Sequence, residues 1–144
     1  MNRTIEIYLP KWVMILYSFM AIILIPWIFD LASNLPAKHV TRHWDTLWVG
    51  FDIAMLVVIL ATIFLMIKHA IWVIVSGTIL ATLFVVDAWF DVLTARSGGD
   101  QRKAIFFGII EISLALLTYR IIYHAVRETT EENDVRLTGN QRVK

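Results

Sequence analysis

The chain has no cysteine, three prolines, six glycines and little charge, and these shortages close off whole classes of answer. Without cysteine there is no disulfide framework and no thiol chemistry, and any metal is left to oxygen or imidazole ligands. Charged residues make up 17% of the 144 positions against 58% hydrophobic, and mean hydropathy is +0.68, values wrong for a soluble domain. A formal net charge of +1, with no basic stripe and no known binding motif, argues against a nucleic-acid partner. There is also no internal repeat, low-complexity tract, Gly-rich phosphate loop or Gly-x-Ser-x-Gly elbow. What is left is an integral membrane protein whose first partner is the lipid bilayer.

Four hydrophobic segments follow one another, at about 12–34, 45–67, 70–95 and 103–126, each of the roughly 20 residues needed to span a bilayer. The fold class they predict is all-α, an integral membrane four-helix up-and-down bundle with one transmembrane domain over residues 1–126. The first run could be mistaken for a secretory signal. From Trp12 to Phe29, however, it has 18 residues without a charge, longer than a typical signal core, and Asp30-Leu-Ala-Ser-Asn is a poor cleavage site. Pro26 should kink this helix in its second half. Lys68 and His69 alone separate helices two and three, which predicts a tight antiparallel hairpin. Residues 127–144 are polar and lack periodicity, and read as a solvated tail, disordered beyond one or two helical turns. With both termini on one side, that side carries seven loop and tail Lys and Arg residues against five on the other, which leans towards cytoplasmic termini.

The sharpest departure from this apolar background is Asp87-Ala-Trp-Phe-Asp91, which closes 17 uncharged residues, Ala70 to Val86, with two carboxylates on one helix face. Up-and-down threading puts the end of helix one, the start of helix two, the end of helix three and the start of helix four at one membrane face, the two-loop face. Asp52, Asp87 and Glu111 then lie about 10–12 Å deep, and Asp30 and Asp91 about 6 Å deep. Five acidic residues from four helices occupy two layers in the same half of the bundle. Intramembrane ionisable groups generally face a partner, a cavity or a pathway, so the convergence predicts a shared site; the bland alternative is polar glue between helices.

Three chemistries fit such a site. Carboxylates crowded in low dielectric cannot all stay ionised, which suits the binding and release of protons and hence proton-coupled transport. An oxygen-only set of Asp52, Asp87, Asp91 and Glu111 also suits a divalent cation such as magnesium, calcium or manganese, with His43 or His39 at the mouth opening the choice to zinc or iron. Trp48, Trp89, Phe51 and Phe90, beside the carboxylates in sequence, could contact an organic cation through their ring faces. The leading expectation is transport or permeation of protons or cations. One four-helix bundle leaves little room for a through-pathway, so a homo-oligomer is expected. A metal-dependent membrane enzyme acting on a lipid or amphiphile, with His43 or Asp45 as proton carrier, is the second reading, although no catalytic signature supports it. A non-catalytic partner subunit or scaffold is the third.

The remaining features have ordinary explanations. Trp27, Trp44, Trp48 and Trp89 at one face, and Trp12 and Trp72 at the other, match interfacial aromatic belts. Arg120 can snorkel. Gly77 with Ala81, and Gly50 with Ala54, are candidate packing seams.

Trp48-Val-Gly-Phe-Asp52, Asp87-Ala-Trp-Phe-Asp91 and the Glu111-Ile-x-Leu-Ala segment together resemble a family of small, uncharacterised four-helix bacterial membrane proteins, over roughly Asp45 to Leu117. The resemblance implies a bacterial inner-membrane location and the same fold. It carries no mechanism.

Overall fold

The computed structural model describes Ile7 and residues 9–34, 43–96 and 98–141, with backbone alone for 132–141. Four helices make up nearly all of it: α1 (Lys11–Asn34), α2 (Trp44–Ile67), α3 (Val73–Thr94) and α4 (Gly99–Gln141). All four are long and apolar enough to cross a membrane. The architecture is the all-α four-helix bundle that the hydrophobic segments predict. Many span residues are β-branched, but in lipid every backbone N–H and C=O must bond within its own segment, which makes helix the default. The hydroxyls follow the same logic. Ser18, Thr62, Thr78, Thr82 and Ser113 each donate to the carbonyl four residues back, at 2.7–2.9 Å, so they sit in spans without unmet hydrogen bonds.

Packing between the helices is uneven. α3 lies closest to α4, and small residues allow it: Gly77 faces Ile122 and Thr118, and Gly108 faces Ala88 and Val92. The Gly77/Ala81 seam is therefore present, both residues being buried. Gly50 and Ala54 are exposed instead, with nothing near the Gly50 Cα, so that pair is no seam. α1 packs on α2 and α2 on α3, whereas α1 and α4 make no close backbone approach among the described residues. Two side-chain links bridge the gap. The Tyr17 and Thr118 hydroxyls are hydrogen-bonded at 2.7 Å, and the Trp27 and Phe107 rings meet with centroids 6.1 Å apart.

The half of the bundle nearer the α2–α3 turn is packed between α1, α2 and α3 and opens only beside α4. Val13, Tyr17, Ile59, Thr62, Val73, Leu80 and Thr118 are buried there, the Ile7 amide donates to the His69 carbonyl at 2.9 Å, and a cavity of about 530 Å³ lies between Leu9, Pro10 and Trp12 and the α4 residues Leu117, Ile121 and His124. The α2–α3 connection is longer than the two residues expected. Residues 68–72 form turns, His69 takes a left-handed φ of 50°, and α3 starts at Val73. α4 differs more. Its backbone stays helical through Gln141, where disorder was expected past the first turns. An exposed i,i+4 pair, Arg127 to Glu131 at 2.7 Å, lies on that extension. The outer surface stays apolar, with Ile15, Ile22, Val57, Phe64, Ile109 and Leu116 all exposed, as a lipid-facing surface requires.

Candidate functional site

In the half nearer the two-loop face the four helices part around a cavity of about 790 Å³, which all four of them line. Each wall is one stripe of its helix at three- and four-residue spacing. α2 contributes Trp44, Trp48, Asp52, Met55 and Ile59; α3 contributes Phe84, Asp87 and Asp91; α4 contributes Phe107, Ile110, Glu111 and Leu114. α1 supplies an apolar wall that includes Met20, Ile23, Trp27 and Leu31. Arg96, Asp100 and Lys103, from the α3–α4 connection and the start of α4, stand at the mouth.

Four of the five predicted acidic residues therefore share one cavity. Asp52 is 3% exposed, and Asp87, Asp91 and Glu111 are half-buried. The stripes that continue from them, Leu80 and Phe84 on α3 and Ala115 and Thr118 on α4, are buried and face inward as the periodicity predicts. The Asp87 and Glu111 carboxyl groups are hydrogen-bonded to each other, and Asp52 and Asp91 lie close enough to interact with both electrostatically. Two carboxyl groups can share a hydrogen bond only when one of them holds a proton. Two further oxygens, Asp52 Oδ2 and Glu111 Oε2, are buried with no hydrogen-bond partner. Buried polar atoms are nearly always paired, and a charged one left alone costs several kcal/mol, so these two mark where a proton, a cation or water completes the site.

Several predicted members fall elsewhere. Asp30 is exposed near the end of α1, where its Oδ1 accepts a hydrogen bond from Asn34 Nδ2 at 2.7 Å, and it does not line the cavity. Trp89 and Phe90 are exposed on the outside of α3: Trp89 is about 200° round the helix from Asp87, and Phe90 about 100° round from Asp91. Phe51 does not line the cavity, but its ring meets the Trp48 edge with centroids 6.4 Å apart, so it supports the cavity wall from behind. Of the aromatic quartet only Trp48 lines the site. Trp44, Trp27 and Phe107 take the other places; the first was legible as one turn before Trp48 on the Asp52 stripe, although belt tryptophan is its commoner meaning.

His43 is exposed at the start of α2, in a left-handed conformation with φ 65°, and does not line the cavity. Among the described residues no three His, Asp or Glu side chains are placed to share one metal ion. Asp45, the other suggested proton carrier, also lies off the cavity, with its Oδ1 3.4 Å from the Thr46 hydroxyl. His39 lies outside the described residues. No protein-family model, curated protein or solved structure matches the chain.

Proposed function

We propose that this chain is a small multi-pass membrane protein for proton- or cation-coupled transport or permeation, with Asp52, Asp87, Asp91 and Glu111 as its cation- and proton-binding site. The observation that carries this reading is the pair of unpartnered buried oxygens, Asp52 Oδ2 and Glu111 Oε2, in a cavity that already holds a hydrogen-bonded pair of carboxyl groups. A cluster built only to glue helices would use its oxygens on neighbouring helices. This one leaves two for something that comes and goes. Buried Ile59 and Leu80 and the Tyr17–Thr118 link separate this cavity from the one of about 530 Å³ beside α4 in the other half, so passage across the membrane involves movement of the helices or a second copy of the chain. The resemblance in the two Asp motifs and the distribution of Lys and Arg favour a bacterial inner membrane with cytoplasmic termini.

Reconstitution tests the proposal. Full-length protein in liposomes loaded with a pH-sensitive dye should dissipate an imposed proton or potassium gradient faster than empty liposomes. Asp87→Asn should slow that flux by about tenfold or more, equivalent to about 1.4 kcal/mol in the rate-limiting step. Flux no faster than in empty liposomes, or an unchanged rate in Asp87→Asn, defeats it.

A further inference from the structure

The cavity is far larger than a proton or a bare metal ion needs, and its shape says more about what it takes. A volume of about 790 Å³ falls in the range of sites for drug-sized organic molecules. The α2 and α3 walls are closed, with Asp52, Met55, Ile59 and Phe84 buried, but the α1 and α4 walls are not: Ile23 is 51% exposed, Phe107 43% and Ile110 40%. Combined with the lack of close backbone approach between α1 and α4, this places the open side of the cavity between those two helices. The opening is a framed window. Tyr17–Thr118 closes it towards the half nearer the α2–α3 turn and Trp27–Phe107 bounds it towards the two-loop face. Ten residues of α1 separate the two links, so the window is about 15 Å tall. It faces the region that lipid chains occupy, its rim is apolar and aromatic, and Glu111 stands on α4 between the two links.

We infer that the cavity binds an amphiphilic organic cation that enters sideways from the membrane through the α1–α4 window. Its apolar body would lie against Ile23, Trp27, Trp44 and Trp48, and its charge would face the carboxyl groups of Asp52, Asp87, Asp91 and Glu111 that line the same cavity. Charge complementarity selects this occupant: a neutral lipid chain would leave four carboxyl groups without a counter-charge, and an anion would be repelled by them. Tryptophan faces add to the attraction for an organic cation and not for a neutral body. The inference rests on the proposed cation site and adds the class of cargo.

A pair of shape-matched probes tests it. Tetraphenylphosphonium and tetraphenylborate have nearly the same size and apolar surface and opposite charge. Equilibrium binding to the detergent-purified full chain should be saturable for the phosphonium and at least about tenfold weaker for the borate. Asp52→Asn and Glu111→Gln should each weaken phosphonium binding by about tenfold, while Asp30→Asn, outside the cavity, should leave it unchanged. Equal affinity for the two probes, or no saturable phosphonium binding, overturns the inference, and the probe comparison needs no variant to fold. Proton or potassium flux in liposomes without phosphonium binding would sink this cargo class and leave the transport reading standing. Binding without flux would do the reverse.

Discussion

At the scale of single residues, the account turns on which polar atoms have partners. Tyr17 and Thr118 satisfy each other across the α1–α4 gap, and both are buried, so Tyr17→Phe should cost about 0.5–1 kcal/mol of stability, the usual worth of one such bond in a membrane bundle. The cost stays modest because the Thr118 hydroxyl can turn back to the carbonyl four residues earlier. Unfolding in mixed detergent would measure it. Adding Thr118→Val to Tyr17→Phe should then cost little more than either change alone, the mark of a shared interaction. The acidic residues of the site were legible because depth is counted along a helix from its ends, a quantity that sequence carries directly. Whether a residue near a helix end still reaches the cavity is read less securely. Asp30 shows this: the depth reading put it in the outer ring, but near the end of α1 it is exposed and hydrogen-bonded to Asn34, outside the cavity. Trp89 and Phe90 failed for another reason, adjacency in sequence being no guide to a shared helix face.

At the scale of elements, the four spans were plain from their length and apolarity, while their ends and pairing were not. The start of α3 moved to Val73 because the chain needs a turn through His69 to reverse, and α4 ran on to Gln141, past the last apolar residues of its span. Which helices press together depends on where small residues face each other. Gly77 anticipates one such seam, but nothing in the α1 or α4 sequence announces the gap between them. The α3–α4 seam makes a graded prediction. A Cβ on Gly77 would stand 2.6 Å from Ile122 Cδ1, the movable end of a side chain, and alanine gains roughly 1 kcal/mol of helix propensity over glycine. Gly77→Ala should therefore be close to neutral in stability. Gly77→Leu cannot be absorbed by one rotamer change and should destabilise the bundle by about 1–3 kcal/mol, the usual cost of overpacking. Thermal unfolding of the two variants beside wild type separates these outcomes.

At the scale of the whole molecule, the bundle is asymmetric: the carboxyl groups and the larger cavity lie in one half, open between α1 and α4, while the other half buries Val13, Tyr17, Thr62 and Val73 around the α2–α3 turn. A bundle held together by hydrophobic packing alone would have no reason to leave the first half open. Because the chain has no cysteine, the window can be closed on purpose. Cysteines introduced at Ile23 and Ile110 and joined by a short bismaleimide should block phosphonium binding from the membrane, and the same reagent on either single cysteine should not join the helices. In the proposed site protons and a cation compete for the same carboxyl groups, and proton release on cation binding reports that competition. In weakly buffered detergent solution with a pH indicator, tetraphenylphosphonium added to the full-length protein should release protons in proportion to the cation bound. Asp87→Asn, which removes a partner from the proton-holding pair with Glu111, should reduce that release. Saturable cation binding with no proton release, in wild type and variant alike, would contradict the account.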